Sequence, residues 1–307
     1  MSFSRRAPLA AAAALLLILL AVPAASEAAK KSYYVSLGDS YAQGYQPSTG
    51  GVTRGYTNQG YTDFLYKRLK AQKKNRGLKL VKLGCGGATT DSMMNGTRPC
   101  PGLDLPYASD SKATSQLTYV AKWMREQRKR GNRIAYVTLS VGGNDFAACA
   151  RAGDMDQVIA CALSGVNGMK GNLPDITRTV RRAAGKKAIF AGSTYPDVTL
   201  GEWVQGGTTG QDFARASVAL FRDQINPAMK SAYRAQKAGF VDATRGFGAY
   251  SPFEKTTALA PYGVIPQNVA SICTLGWYCE VRDIHLRASG YRKLAGEYAA
   301  VIRQLER

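Results

Sequence analysis

Histidine occurs once in the 307 residues, as His285, and no Cys-x-x-Cys pair is present. Together these absences exclude the usual structural zinc sites, which need several histidines or closely spaced thiols to complete tetrahedral ligation. Acidic side chains are also few, 21 Asp and Glu against 41 Lys and Arg, for a net charge of +20. Such a balance favours anionic surfaces such as acidic lipid headgroups or wall polymers, and it equally suits a well-solvated surface. No zinc-finger, recognition-helix or RNP-like string accompanies the charge, so nucleic acid is not the expected partner. There is one long apolar run, Leu9 to Val22, and it is shorter than the roughly 20 residues a transmembrane helix needs. Linkers rich in proline or serine, internal repeats and low-complexity tracts are missing as well, which leaves one domain after that run.

The apolar run follows Arg5 and Arg6 and precedes the small-residue string "AASEAA". This is the layout of a secretory signal peptide cleaved after Ser26 or Ala28. "SRRAPL" has twin-arginine character while the leucine-rich core suits the general route, so the export route stays open. The expected organisation is a leader over 1–28 and a single secreted, extracellular domain over 29–307. Loss of Arg5, Arg6 and Glu27 leaves 39 basic against 20 acidic side chains, or +19. Six cysteines in an exported chain read as three disulfides. Their grouping into sequential couples predicts Cys85 with Cys100, Cys149 with Cys161, and Cys273 with Cys279.

Past the leader, short β-branched or apolar runs alternate with longer amphipathic ones, the pattern of a parallel sheet covered by helices. Strands are predicted at "SYYVSLG", "LKLVKLG", "RIAYVTLSVGG", "KKAIFAGS" and "GFVDA". Helices are predicted over Tyr61 to Lys74, Ala113 to Arg130, Asn172 to Ala184, Gln211 to Ala238 and Ala288 to Gln304. The fold class is therefore α/β, three layers with a central five-stranded parallel sheet. In such sheets ligands bind beyond the carboxyl ends of the strands, so the chemistry is expected in the segments that follow them.

Four such segments carry candidates. "VSLGDSYAQGY" puts Ser40 after the first strand in a tight turn at a helix start, where backbone N–H groups can stabilise an oxyanion. Gly-Asp-Ser is also an ordinary helix cap. "KLGCGGATT" places Gly87 after the second strand, where the lack of a side chain lets a backbone N–H approach a ligand. "LSVGGNDF" offers the Asn144 amide as an oxyanion donor and Asp145 as a cap for the next helix. "RDIHLRASGYRKLA" contains His285, expected just after the fifth strand and before the last helix. A serine that attacks an acyl group needs a base titrating near neutral pH, and His285 alone can supply it.

Taken together, the four blocks resemble the SGNH, or GDSL, esterase and lipase family: Ser40 in "GDS", Gly87 in "GGATT", Asn144 in "GGND" and His285 near the C-terminus. "SLGDSYAQGYQP" and the six cysteines are similar to its secreted actinobacterial branch. The resemblance implies a flavodoxin-like sheet and a serine nucleophile, Ser40, deprotonated by His285. It also implies an oxyanion hole from the Ser40 and Gly87 N–H groups and the Asn144 amide, with no cofactor and no metal. Many members carry aspartate three residues before the histidine. Here that position is Arg282, and the nearest acid is Asp283, two residues before, so either Asp283 or a backbone carbonyl orients the imidazole.

The expected activity is hydrolysis of a carboxylic ester through an acyl-serine. Acylglycerols, phospholipids and acylated polysaccharides are all open as the ester or lipid substrate, and peripheral contact with an anionic membrane or wall is open too. Tyr195, Trp203, Tyr262 and Trp277 are candidates for an acyl pocket. The disulfides fall close in sequence to Gly87, Asn144 and His285 and are expected to brace the site. The alternatives are a non-catalytic secreted module that binds anionic surfaces, and an acyltransferase using the same acyl-serine. Oligomeric state is not legible.

Overall fold

The computed structural model describes Met1 and residues 30–96, 115–151 and 155–307. The expected leader beyond Met1 lies outside the described residues. So does Cys100, the expected partner of Cys85. Five strands form the central sheet: β1 (Ser32–Gly38), β2 (Leu78–Lys82), β3 (Arg133–Ser140), β4 (Ile189–Ser193) and β5 (Gly239–Val241). All neighbours are parallel, in the order β2-β1-β3-β4-β5. This is the flavodoxin-like order, whose direction of winding reverses between β1 and β3. The crevice beyond those two strand ends is where a ligand is expected, and Ser40 and Asn144 follow those two strands.

The strands form where the apolar runs predict them because a parallel sheet covered on both faces needs β-branched, aliphatic and aromatic side chains at nearly every position. In β3 every residue from Ile134 to Ser140 is buried. Helices α1 (Tyr61–Lys70), α2 (Gln116–Lys129), α3 (Met155–Ala184), α4 (Gly207–Leu220), α5 (Asn226–Ala235), α6 (Gln267–Leu275) and α7 (Ala288–Leu305) follow. On one side α1 packs on α7, and on the other α3 packs on α2 and α5. Buried Tyr61 of α1 stacks on Tyr298 of α7 with ring centroids 4.7 Å apart. No helix among the described residues is long and apolar enough to cross a membrane.

Three helix predictions need correction. The first helix stops at Lys70, because buried Asn75 turns the chain by donating to the Leu69 carbonyl at 3.1 Å. The helix expected from Asn172 starts at Met155 and runs through Pro174. Gly165, inside it, is a packing site: a Cβ there would stand 2.2 Å from the Asp145 carbonyl oxygen. Close approach, not termination, explains that glycine. The helix expected over Gln211 to Ala238 is interrupted by a π-helical turn, Phe221–Ile225, just before Pro227 in the first turn of α5. Proline lacks the N–H that would continue the four-residue ladder, and a wider turn accommodates it.

Candidate active site

β1 ends at Gly38, whose φ of +122° and position over β3 leave no room for a side chain: a Cβ would lie 1.9 Å from the Ser140 carbonyl oxygen. That contact lets Asp39 N–H bond the same oxygen at 2.9 Å and starts a helical turn at Ser40. Asp39 is the cap, its Oδ1 accepting the Tyr41 N–H at 3.0 Å. Its other oxygen, Oδ2, accepts the Tyr195 hydroxyl at 2.5 Å. Burial pushes the Asp39 carboxyl up to about 7, against the opposing pull of the Tyr195 and Tyr41 hydrogen bonds.

Ser40 Oγ lies 2.7 Å from His285 Nε2, and His285 Nδ1 lies 2.7 Å from Asp283 Oδ1. The same carboxylate oxygen accepts the His285 backbone N–H at 2.9 Å. This is the two-residue turn that aspartate side chains favour, and it explains how an acid two positions before the histidine reaches the ring. Arg282, at the position where the family commonly has aspartate, adopts a left-handed conformation with φ +52° and turns its guanidinium to the Gln205 carbonyl at 3.2 Å and to Glu202. Burial raises the Asp283 carboxyl, but the hydrogen bonds and charge of His285 outweigh it and hold the group below its ordinary value.

His285 does not sit just after the fifth strand as expected. Between β5 and His285 come a hairpin of Thr256–Leu259 with Gly263–Pro266, then α6 and a helical turn at Tyr278–Val281. The segment is tied down at several points. Cys273 and Cys279 form a disulfide, Trp277 N–H donates to the His285 carbonyl at 3.0 Å, and the Tyr41 hydroxyl donates to the Ile284 carbonyl at 2.7 Å. The Tyr45 ring packs 4.5 Å from the imidazole, centre to centre.

On the other side of Ser40, the Asn144 amide donates one hydrogen to the Ala88 carbonyl at 3.0 Å, and the second hydrogen of that nitrogen is available to a ligand. Gly87 has φ +74° and open space where a Cβ would stand. Asp145 does not cap the helix that follows it in sequence. It accepts the Thr90 N–H at 2.9 Å and the Thr90 hydroxyl, at the start of the Thr90–Asn95 helix. The loop bearing Gly87 is thereby pinned to the turn bearing Asn144 by a contact across 55 residues that local pattern does not report.

A cavity of about 720 Å³ opens beside Ser40 and Asn144, within the range of small-molecule sites. Its walls are mainly apolar, including Phe146, Val158, Ile159, Phe213, Leu220 and Phe221. Cys149, bonded to Cys161, also lines it. Of the four aromatics expected there, only Tyr195 contributes to the wall. Trp203 stacks on Phe253, Trp277 lies under the guanidiniums of Arg54 and Arg287, and the Tyr262 hydroxyl donates to the Cys279 carbonyl at 2.9 Å. Val158 and Ile159 were missed because they belong to the first half of α3, which the periodicity did not reveal, and Phe213, Leu220 and Phe221 because a helical pattern alone does not say which of its faces lines a cavity.

A hydroxyl, an imidazole and a carboxylate joined in this order can transfer the serine proton as the oxygen attacks, and an adjacent amide can meet the charge that develops. No curated protein matches the chain. Among solved structures, an extracellular lipase from Streptomyces rimosus shares 17% identity over 88% of this chain and 99% of its own, with a TM-score of 0.50, a likeness of fold alone. Phospholipase A1 from Streptomyces albidoflavus NA297 aligns at 18% identity over 89% and 98%, with a TM-score of 0.48. An acetylxylan esterase from Geobacillus stearothermophilus aligns at 15% over 89% and 94%, with a TM-score of 0.49. The model of the GDSL-like lipase/acylhydrolase family matches residues 36–293, from within β1 into α7 and across all four blocks. A match of that extent makes the chain a member of the GDSL-like lipase/acylhydrolase family and a carboxylic ester hydrolase.

Proposed function

We propose that the protein is a secreted serine esterase in which Ser40 attacks the ester carbonyl and His285 is the general base. Asp283 holds the imidazole in the tautomer that accepts at Nε2 and stabilises the imidazolium that forms. The Ser40 and Gly87 N–H groups and the Asn144 amide receive the oxyanion. Collapse of the tetrahedral intermediate expels the alcohol, protonated by His285, and leaves an acyl-Ser40. Water, deprotonated by the same imidazole, then releases the acid. The observation that carries this reading is the unbroken hydrogen-bonded series from Asp283 through His285 to Ser40, at 2.7 Å for each link between side chains, at the mouth of an apolar cavity.

The cavity favours an ester with an extended apolar acyl group over an acetyl ester, because burying alkyl chain yields about 0.8 kcal/mol per methylene. Secretion is supported by the leader-like N-terminus and by the Cys149–Cys161 and Cys273–Cys279 disulfides, which persist in oxidising compartments. The net charge of +20 supports attraction to an anionic lipid surface where such esters reside.

A fluorophosphonate probe followed by peptide mapping tests the mechanism. It is expected to label the wild-type protein at Ser40 and to spare Ser40→Ala, with hydrolysis lost in both Ser40→Ala and His285→Ala. Retained turnover in either variant would remove these residues from the chemistry. A panel of esters from acetyl to palmitoyl tests the acyl preference, and a maximum at acetyl would overturn it.

A further inference from the structure

Tyr195 follows β4, two strands away from β1, yet its side chain touches both halves of the site. Its hydroxyl donates to Asp39 Oδ2, while Asp39 Oδ1 caps the turn that begins at Ser40. The ring fills the space over Gly143 so closely that a Cβ there would lie 2.9 Å from Tyr195 Cζ. It also meets the Tyr41 ring edge to face with centroids 5.2 Å apart. The Tyr195 carbonyl is fixed in turn by the Thr244 hydroxyl at 2.7 Å. Tyr195 is 6% and Asp39 1% exposed, so water does not compete for these bonds.

We propose that Tyr195 is a positioning residue that sets the spacing between the Ser40 turn and the Asn144 turn, acting through Asp39 on one side and Gly143 on the other. The inference rests on the assignment of Ser40 as nucleophile and Asn144 as oxyanion donor. Burial and the neighbouring carboxylate hold the Tyr195 phenol well above its ordinary value, so it keeps the proton it donates to Asp39 Oδ2. Both residues line the cavity, but the phenol hydrogen and the carboxylate oxygens are taken up by each other and by the Tyr41 N–H. Their effect is on where the serine oxygen and the amide stand, and a displacement of about 1 Å at such a centre costs on the order of 10²-fold in rate.

The test is a double-mutant cycle of Tyr195→Phe and Asp39→Asn, with steady-state kinetics on a soluble nitrophenyl ester, fluorophosphonate labelling rates and melting curves, and Ser40→Ala run in parallel. Tyr195→Phe keeps the ring over Gly143 and removes only the hydroxyl. The expected result is a fall in kcat of about 10- to 100-fold with KM within about twofold, a matching fall in labelling rate, and a double variant no slower than the slower single one. Losses that multiply in the double variant, a change confined to KM, or kcat within twofold of wild type would overturn the proposal. Should Tyr195→Phe fail to fold, Asp39→Asn decides alone. It keeps an acceptor for the Tyr41 N–H but no longer offers a carboxylate to the phenol, and unaltered kcat in it refutes the linkage. Inactive Ser40→Ala with normal Tyr195→Phe defeats this inference only, whereas active Ser40→Ala defeats the assignment beneath it.

Discussion

The two arms that meet at the site are built differently. The Ser40 arm is an extension of the sheet: β1 and β3 pair in register up to Gly38 and Ser140, and the turn begins one residue later. Main-chain hydrogen bonds between buried strands fix where it starts, and the Asp39 and Tyr195 side chains hold the turn beyond. The arm bearing Asp283 and His285 is the end of an irregular excursion from β5. A disulfide, a single backbone bridge between Gly276 and Leu286, and individual side-chain bonds such as Tyr41 to Ile284 hold it. A histidine carried this way has fewer main-chain bonds behind it than Ser40 does. The same contrast places the acid: in an irregular segment a left-handed residue at Arg282 costs little extra order, and it lets an aspartate at an uncommon spacing turn back onto the ring.

The largest effect that would sharpen this contrast is expected at Asp283. With its carboxylate on Nδ1, Asp283→Asn should lower turnover by about 10⁴-fold, because an amide favours the wrong tautomer. A loss below about tenfold, with unchanged melting, would show that a main-chain group orients the ring instead. On the serine arm, Asn144→Ala should lower kcat by roughly 10² to 10³ with KM little changed, and an effect mainly on KM would assign Asn144 to substrate binding.

The two disulfides separate the arms next. Replacing Cys273 and Cys279 by serine should cost about 2 kcal/mol in the chain-entropy model, and replacing Cys149 and Cys161 about 3 kcal/mol, measured by denaturant melts. Only the first pair should lower kcat, since it braces the base. The second should alter the acyl-chain profile, since Cys149 lines the cavity. The reverse pattern would break the comparison.

The remaining effect is a pH dependence of stability, which leaves the chemistry untouched. Asp39 is raised to about 7 in the folded chain and has a value of about 3.9 when unfolded. Between those values the folded state holds a proton that the unfolded state has lost, so this group's contribution to stability is full below about 4 and declines as pH rises through about 7. Relative to wild type, Asp39→Asn should therefore gain stability from pH 5 to pH 8. Asp283 works in the opposite direction: its lowered value gives a contribution present above about 3.9 and lost as pH falls through its folded value. Urea melts of wild type, Asp39→Asn and Asp283→Asn from about pH 2 to about pH 8 check both signs, and a constant wild-type-to-Asp39→Asn difference between pH 5 and pH 8 would mean that Asp39 does not titrate there.

Much of this was legible because it follows from short-range rules. Strand runs, their alternation with helices and the four blocks after the strands depend on local periodicity and turn chemistry, and the sheet forms with all five strands where the runs lie. The Cys149–Cys161 and Cys273–Cys279 pairings followed from sequence proximity for the same reason. Where two distant segments had to meet, periodicity carried no information. The first half of α3 went unread, and in the fold its Gly165 packs against the Asp145 backbone. Asp145 reads as a cap for its own helix although its partner is Thr90, and Trp203, Tyr262 and Trp277 read as pocket walls although each packs elsewhere.

The sequence by itself determined the class of fold, the succession of strands and helices along the chain and the residues that follow the first three strands, because hydrophobic period and turn residues act within a few positions of one another. The tertiary structure alone decided that Asp283 reaches His285, that Tyr195 joins the two sides of the site, and that α3 and the π turn wall the cavity. The last two depend on contacts between residues far apart in the chain, whose geometry is set only when the core closes, and the first on a local turn that the bond from Tyr41 and the Cys273–Cys279 disulfide hold in place.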